Sequence, residues 1–568
     1  MATVLLTSSL ARAAGAAPPL SPAYQAGMDA LRKNDLPTAR AAFEKAVRTA
    51  PGNAAAQASL GWVLAQQGEL DSAAAHLRSA IRLRPAFANA RISLASVLTL
   101  QGKAPEAEQE LRAAIRSEPQ NAEAHRMLGR GLSGVHPDQA IAELQRAVEL
   151  APQRPDLQDD LGSAFALQNR DQEAAAAFLE ASRLQPDFAP AHFHLGVLRF
   201  NGKDFDGAAA ELSRAMALAP SDANSHFYLA KTLAAQAKAA DALRELRTTA
   251  ELRPSWYEAQ IALGLACQRA PDPDCAISAF EAATRLRPQE PDALNDLGLA
   301  LIQKGNAEKS IAVFRSAAQL RPNDASFREN LGIAFIQRAD FDGAITELNA
   351  AIALSPASSS AYYNLGLAYK LKDQLDPAIA ALQKSIELEP HLADAHYTLG
   401  VLYWQQAEFV KAAAQLRAAI ADAPNFAEAH YTLGTVLKQQ AKLPEAAAEL
   451  REALRLQPDF AGAHTTLAAV LRLQGVAAGA AEEAKAASVI SANNTGLQAA
   501  QFSTNSGKRL LESGDLDAAI AQFRAAIQAS DSYAPAHLGL AQALQRQDHG
   551  DEATKEFRRA EELSTPNR

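Results

Sequence analysis

Apolar residues recur along this chain of 568 residues at helical spacing, in pairs of short segments separated by polar turns. In the stretch 393–424, Leu399 and Leu402 share one helical face, and Leu416 and Ala419 share another. Residues three or four apart lie on one side of an α-helix, whereas side chains of a strand alternate with period two. The stretch therefore predicts two amphipathic helices of about fourteen residues each.

A proline follows the second helix in thirteen of the pairs, at intervals of 34 residues with a single interval of 33. Proline cannot continue a helix, because it lacks an N–H and clashes with the preceding turn. A fixed period in this range is typical of a repeat array in which each repeat is one supersecondary unit. The prolines are Pro51, Pro85, Pro119, Pro152, Pro186, Pro220, Pro254, Pro288, Pro322, Pro356, Pro390, Pro424 and Pro458.

Small residues recur where the two helices of a repeat approach each other. Glycine holds the eighth position of the first helix in most repeats, as at Gly400, and alanine follows twelve residues later, as at Ala412. This pairing allows a close interhelical separation. Larger residues are expected to fill the space between units, among them Phe43, Phe178, Phe280 and Phe314.

The order of Leu-Gly, a large residue, then Ala, Phe or Leu, Ala and Pro at fixed offsets resembles the tetratricopeptide repeat family. The resemblance implies an all-α fold, a right-handed superhelical solenoid of about sixteen antiparallel helix pairs, over about residues 20–563. A solenoid grows by stacking, so the length of the chain does not require several separate domains.

Repeats 1–14 are predicted at 18–490, a repeat break or linker at 491–499, and repeats 15–16 with a tail at 500–568. The first 17 residues have an apolar stretch followed by small residues, as in a secretory signal peptide. The alternative is a disordered leader, because no Lys or Arg precedes Arg12. A signal peptide would place the protein outside the cytoplasm, periplasmic or secreted, and a leader would leave it in the cytoplasm.

Composition and charge exclude several functional classes. Hydrophobic residues make up 48% of the chain and aromatic residues 6%, as expected for a helical array rich in alanine and leucine. The formal net charge of −9 argues against nucleic-acid binding, which normally requires a basic face. No stretch approaches the roughly 20 apolar residues that span a membrane. Phosphate-loop, nucleophile-elbow and zinc-protease motifs are absent from the sequence, so we predict a protein that is not an enzyme and needs no cofactor.

Histidine recurs at the fourth position of the first helix, but zinc ligands must converge on one point and equivalent positions of stacked repeats lie too far apart. We therefore predict packed, half-buried rings and no metal site. The seven residues are His125, His192, His226, His396, His430, His464 and His537.

The two cysteines, Cys267 and Cys275, flank one predicted turn. A disulfide is geometrically feasible if their Cα atoms come within about 4.4–6.8 Å. The alternative is a pair of reduced thiols in the cytosol. Their spacing resembles neither a zinc site nor a redox Cys-x-x-Cys motif.

In the family that the chain resembles, first helices line the concave groove and ligands contact positions two, five, nine and twelve, which share one helical face. Position two is largely acidic or amide, as at Asp394 and Glu428. Aromatic residues offer contact area at low entropic cost, and those at positions five and twelve form two candidate binding patches. Position five contributes Phe193, Phe227, Tyr363, Tyr397 and Tyr431, and position twelve contributes Phe200 and Trp404.

The array is also similar to the repeat region of protein O-linked N-acetylglucosamine transferase, whose groove has asparagines at position six. Asn330 and Asn364 match that position. The sequence contains no recognisable glycosyltransferase domain, so that activity does not carry over.

We therefore predict a non-catalytic scaffold that binds an extended peptide or partner protein in its concave groove, with basic residues in the ligand to match the acidic positions. A first alternative is an accessory subunit of an envelope secretion or assembly machine for pili or exopolysaccharide. A second is a regulatory or substrate-recruiting partner of a separately encoded glycosyltransferase. A homodimer through an exposed end face is a further candidate assembly.

Overall fold

The computed structural model describes residues 21–564, so the leader predicted at 1–17 lies outside the described residues. Within 21–564 every regular element is an α-helix, and there is no strand. The helices are arranged in successive pairs, which confirms the predicted all-α repeat array. The chain divides after Pro288 into two compact units, called unit 1 and unit 2 below.

Unit 1 contains repeats 1 to 8, each a first and a second helix in chain order. The pairs are Pro22–Arg32 with Leu36–Thr49, Ala54–Gln66 with Leu70–Leu83, Ala88–Leu100 with Ala104–Ser117, Ala122–Leu132 with Pro137–Leu150, Pro155–Leu167 with Asp171–Leu184, Ala189–Asn201 with Phe205–Leu218, Ala223–Ala235 with Ala239–Leu252, and Tyr257–Arg269 with Pro273–Leu286.

Unit 2 begins with repeats 9 to 13, followed by the first helix of repeat 14, a long helix, and three helices that complete repeats 15 and 16. The helices are Pro291–Gln303 with Ala307–Leu320, Ala325–Gln337 with Phe341–Leu354, Ser359–Leu371 with Leu375–Leu388, Ala393–Gln405 with Phe409–Asp422, Ala427–Gln439 with Leu443–Leu456, then Ala461–Leu473, Ala477–Ser513, Leu516–Ala529, Ala534–Arg546 and Gly550–Ser564.

The eighth-position glycines accept a side chain from the second helix of their own repeat. A Cβ atom at Gly162 would lie 2.7 Å from Cδ1 of Phe178, and one at Gly400 would lie 2.8 Å from Cγ of Leu416. The expectation that the large phenylalanines fill the space between units is incomplete, because their rings also pack inside the hairpins. Phe178 does both, since its ring centroid also lies 5.4 Å from that of His194 in the next repeat. The pairs are Gly27 with Phe43, Gly162 with Phe178, Gly264 with Phe280, and Gly298 with Phe314.

Residues 491–499, predicted as a break or linker, lie instead inside the helix Ala477–Ser513. This helix of 37 residues serves as the second helix of repeat 14 and the first helix of repeat 15. Gly496 lies close to the end of the next helix, where an added Cβ would come within 2.5 Å of the Ala529 carbonyl oxygen. The glycine thus permits a close helix contact rather than ending the helix. No helix within 21–564 is both long and apolar enough to cross a membrane.

Candidate functional site

The first helices of successive repeats lie next to each other within each unit. Positions five and twelve are seven residues apart, or two helical turns, so their side chains follow the same face of each helix. The seven predicted aromatic residues on this face are all half-buried. They form one group in each unit. We call Phe193, Phe200 and Phe227 the phenylalanine patch, and Tyr363, Tyr397, Trp404 and Tyr431 the tyrosine patch.

The rings of the tyrosine patch are held by the next repeat. Tyr397 packs against Phe426 with ring centroids 4.8 Å apart and the ring planes tilted by 43°, and Tyr431 packs against Phe460 in the same way at 4.7 Å and 45°. Both phenylalanines stand immediately before the first helix of the following repeat. Trp404 donates its Nε1–H to Oε1 of Gln439 at 3.0 Å. The rings therefore contribute to packing between repeats and keep a fixed position at the surface.

The hydroxyl groups of the three tyrosines differ in their surroundings. Burial raises the pKa of Tyr363, a hydrogen bond with Thr398 lowers it, and the charge of Asp394 raises it again. The hydroxyls of Tyr397 and Tyr431 have no hydrogen-bond partner within residues 21–564. Two polar tips are thus available to a ligand along one face.

Charged groups beside the tyrosine patch also lack partners. The carboxylates of Asp394 and Glu428, at position two, make no ion pair with any described residue. Lys370, at position twelve of repeat 11, has no carboxylate within ion-pair distance in the described chain, and burial lowers its pKa. Carboxylates at position two and a lysine at position twelve therefore flank the tyrosines.

The phenylalanine patch is closed by residues of its own unit. Lys231 places Nζ 4.9 Å from the ring centroid of Phe200 and 5.8 Å from that of Phe227. Tyr228 lies edge-on to the rings of Phe193, Phe200 and Phe227, at 5.7, 6.2 and 6.0 Å. A cation over aromatic faces is itself a favourable contact, so Phe200 and Phe227 already have the partner that a basic ligand would offer.

Sequence reasoning missed Tyr228, Lys231 and the aromatic residue that precedes the first helix in several repeats. Phe227 stacks on one of these, Trp256, at 4.5 Å. Aromatic residues recur just before the first helix at 34-residue spacing, for example at Phe426 and Phe460. That recurrence was the signal that could have identified them.

Asn330 and Asn364, the two position-six matches, link neighbouring first helices. Nδ2 of Asn330 donates to Oδ1 of Asn295 at 2.8 Å, and Nδ2 of Asn364 donates to Oε1 of Glu329 at 3.2 Å. Each bond reaches position five of the preceding repeat. One N–H of each amide is therefore used inside the array.

The fourth-position histidines bridge each repeat to the turn before it. Nδ1 of His430 lies 2.7 Å from Oε2 of Glu449, and Nε2 lies 3.1 Å from the carbonyl oxygen of Pro424. Both ring nitrogens thus have a partner within the chain. A side chain of the second helix and a carbonyl of the preceding turn contact the ring in the same way at His125, His192, His226, His396, His464 and His537.

Cys267 and Cys275 are joined as a disulfide in repeat 8, with Cα atoms 5.7 Å apart. Cys267 is fully buried near the end of the first helix, and Cys275 lies in the first turn of the second helix. The bond closes the turn between the two helices of this repeat.

Family models match most of the chain. A model described as a tetratricopeptide repeat matches residues 24–88, 136–187, 172–223, 268–325 and 431–494. Another with that description matches 64–131 and 510–563, a model described as a TPR repeat matches 334–373, and a further tetratricopeptide repeat model matches 359–392.

Several solved structures are similar to parts of the chain. One is a chain of the APC/C hetero-tetramer Cut9–Hcn1, at 16% identity and a TM-score of 0.37, covering 82% of this chain and 99% of that one. MamA from Desulfovibrio magneticus RS-1 is 27% identical with a TM-score of 0.27, covering 29% and 93%. YrrB, described as a TPR protein with an unusual peptide-binding site, is 24% identical with a TM-score of 0.29, covering 33% and 97%. Similarity at this level indicates no shared partner. No curated protein sequence matches the chain.

Proposed function

Because the chain belongs to the tetratricopeptide repeat family, we propose that it is a protein-interaction scaffold whose tyrosine patch binds an extended segment of a partner protein. Arrays of this family are typically non-catalytic interaction scaffolds. Since fold alone does not identify a partner, the proposal rests on the side chains of repeats 11 to 13.

One observation carries the proposal: three half-buried tyrosines recur on one face at intervals of one repeat, beside charges that have no ion-pair partner among residues 21–564. Tyrosine offers a large contact area and a polar tip at low entropic cost. The stacks of Tyr397 on Phe426 and Tyr431 on Phe460 order these rings before a ligand arrives, which reduces the cost of binding. An extended peptide fits this arrangement because its side chains can meet successive repeats.

A defined library of short synthetic peptides tests this proposal. The triple variant Tyr363→Ala, Tyr397→Ala, Tyr431→Ala is expected to bind the library peptides that the wild type selects at least about a hundredfold more weakly. The reason is that aromatic anchors of a binding surface are worth about 2 kcal/mol or more each. The matched control replaces the same tyrosines by phenylalanine and keeps the rings. Circular dichroism verifies that both variants are folded. If the folded alanine variant binds the same peptides as tightly as the wild type does, the proposal is wrong.

The disulfide supports a second, finer proposal, that the scaffold works outside the cytoplasm as an accessory subunit of an envelope assembly or secretion machine. Disulfides persist in oxidising compartments and are rare in the cytosol. Intact mass of the chain from its own host, measured without reductant, should show a processed amino terminus and an oxidised Cys267–Cys275 pair. An unprocessed and fully reduced chain would refute the proposal.

A further inference from the structure

Repeats 8 and 9 use an arginine at the end of the repeat to neutralise the carboxylate at position two. In repeat 8, Nη2 of Arg287 donates to Oε1 of Glu258 at 2.7 Å. In repeat 9, both Nη atoms of Arg321 donate to the two carboxylate oxygens of Asp292, each at 3.0 Å. The two residues are 29 positions apart in both repeats. A carboxylate at position two therefore faces the residue that ends the second helix.

The arginine at this position also lies over an aromatic ring when one stands three residues later. The guanidinium carbon of Arg84 is 5.1 Å from the ring centroid of Phe87, and that of Arg253 is 4.9 Å from the centroid of Trp256. The chain thus shows two contacts for a guanidinium at one site, an acid in repeats 8 and 9 and an aromatic face in repeats 2 and 7.

Repeat 12 has both partners but no arginine. Asp394 holds position two, Phe426 holds the aromatic position, and Ala423 stands where Arg287 and Arg321 stand in their repeats. An open depression of about 500 Å³ occupies this place. Its lining consists of Ala393, Asp394, Ala423, Pro424, Asn425 and Phe426. The exposed carboxylate of Asp394 has no ion-pair or hydrogen-bond partner among residues 21–564.

We propose that this depression, the arginine pocket, receives an arginine side chain of the bound partner, which takes the place of the arginine missing at Ala423. A planar guanidinium can bind a carboxylate with two N–H groups while its face stacks on a ring. Lysine offers a point charge and lacks this geometry. The pocket is therefore specific for arginine over lysine.

The pocket opens beside the tyrosine patch. The ring of Phe426 stacks on Tyr397, and the charge of Asp394 acts on the hydroxyl of Tyr363. An arginine held by Asp394 and Phe426 would thus belong to a segment that also contacts the tyrosines. This inference rests on the proposed function and adds a residue type that the partner must supply.

The test uses the full chain and two small probes, N-acetyl-arginine methylamide and its neutral isostere N-acetyl-citrulline methylamide, followed by ligand-observed NMR. The wild type should bind the arginine probe about five- to tenfold more tightly, as one exposed ion pair and one cation–π contact imply. Ala423→Arg should fill the pocket from within and lower this preference. Equal binding of the two probes, or an undiminished preference in folded Ala423→Arg, would overturn the inference.

Two further variants make the result specific. Ala219→Arg places the same new arginine at the end of repeat 6, where position two is Pro190, and should leave the preference unchanged. Arg321→Ala removes the internal arginine of repeat 9 and should create a second arginine site at Asp292, above the ring of Phe327 on which Arg321 lies. If Arg321→Ala gains no binding of the arginine probe, the idea that a partner's arginine can take the place of an arginine of this chain is wrong.

The peptide library separates this inference from the proposed function. One outcome is that peptide binding depends on the three tyrosines while the protein shows no preference for arginine over citrulline. In that outcome the proposed function stands and the arginine pocket is wrong. Arginine-probe binding at Asp394 without any library binding would retain the pocket and reject the extended-segment function.

Discussion

The phenylalanine patch and the tyrosine patch occupy the same positions of their repeats but differ in what surrounds the rings. In unit 1, Lys231 lies over the faces of Phe200 and Phe227, and Tyr228 covers their edges. Beside the tyrosine patch, Asp394 and Glu428 have no cationic partner in the described chain. Aromatic content alone therefore does not identify a binding surface. In the function proposed above, the deciding property is whether the polar and charged groups beside the rings are already satisfied within the protein.

Reduction of the disulfide should have the largest effect on the region around the phenylalanine patch. Cys267–Cys275 closes repeat 8, whose first helix follows Trp256, the ring on which Phe227 stacks. Loss of the short loop closure should cost about 2 kcal/mol of local stability. Hydrogen exchange with and without reductant should show faster exchange in repeat 8 and no change in unit 2, since both cysteines lie in unit 1. Identical exchange in repeat 8 under both conditions would contradict this expectation.

A matched pair of substitutions tests the comparison itself. Phe227→Ala and Tyr431→Ala each remove a ring that stacks on the aromatic residue before the next repeat, at 4.5 and 4.7 Å. Each should lower the local free energy of opening by about 2 kcal/mol, because both rings are half-buried. Only Tyr431→Ala should weaken peptide binding, by about tenfold or more. If Phe227→Ala weakens binding equally, the two patches do not differ in function.

The smallest expected effect concerns a carboxyl outside the patches that has no ion-pair partner among residues 21–564. Burial, together with the charge of Asp292, raises the pKa of Asp296 to about 6. The unfolded chain releases this proton near pH 3.9, so the native state binds more protons between about pH 4 and 6 and stability falls as pH rises through that window. Asp296→Asn should remove this loss, worth about 1 kcal/mol after allowance for solvent screening of a partly exposed group.

The control for this pH effect is Asp394→Asn, because Asp394 likewise has no ion-pair partner in the part of the chain that the structure describes, but is exposed. Chemical denaturation at pH 4 and pH 7 should show an altered pH dependence in Asp296→Asn and an unaltered one in Asp394→Asn. The same pH dependence in wild type and Asp296→Asn would show that burial of this carboxyl carries no cost.

The repeat array was predictable because its signals are periodic and local. The helices predicted within 393–424 are observed as Ala393–Gln405 and Phe409–Asp422. A linker was predicted at 491–499 because Asn494 and Gly496 have low helix propensity, but the structure has a helix there. Helix propensity is only a weak local preference. Contact with the following helix overrides that tendency, and Gly496 is needed for it.

The site was predictable only in part. Its aromatic residues follow from helical spacing, which puts positions five and twelve on one face of each first helix. That this face binds a ligand stays a prediction. What distinguishes the patches depends on contacts between neighbouring repeats, such as Lys231 over Phe227. The pairing of Asp292 with Arg321, 29 residues apart, likewise becomes apparent only when the turn brings the two ends of a repeat together. Only when this pairing is known does Ala423 stand out, because it occupies the position at which repeats 8 and 9 have an arginine.

The helix Ala477–Ser513 has a consequence for how unit 2 comes apart. In a linear array, fraying that starts at one end can stop at any boundary between repeats, since each repeat contacts only its neighbours. Here one continuous helix belongs to two repeats, so there is no turn between repeats 14 and 15 at which unfolding can stop. The carboxyl end should therefore not unfold one repeat at a time, but in a single concerted event that extends back to the turn at Gly475. Mechanical pulling on that end should therefore produce one large extension step where a regular array would produce two smaller ones.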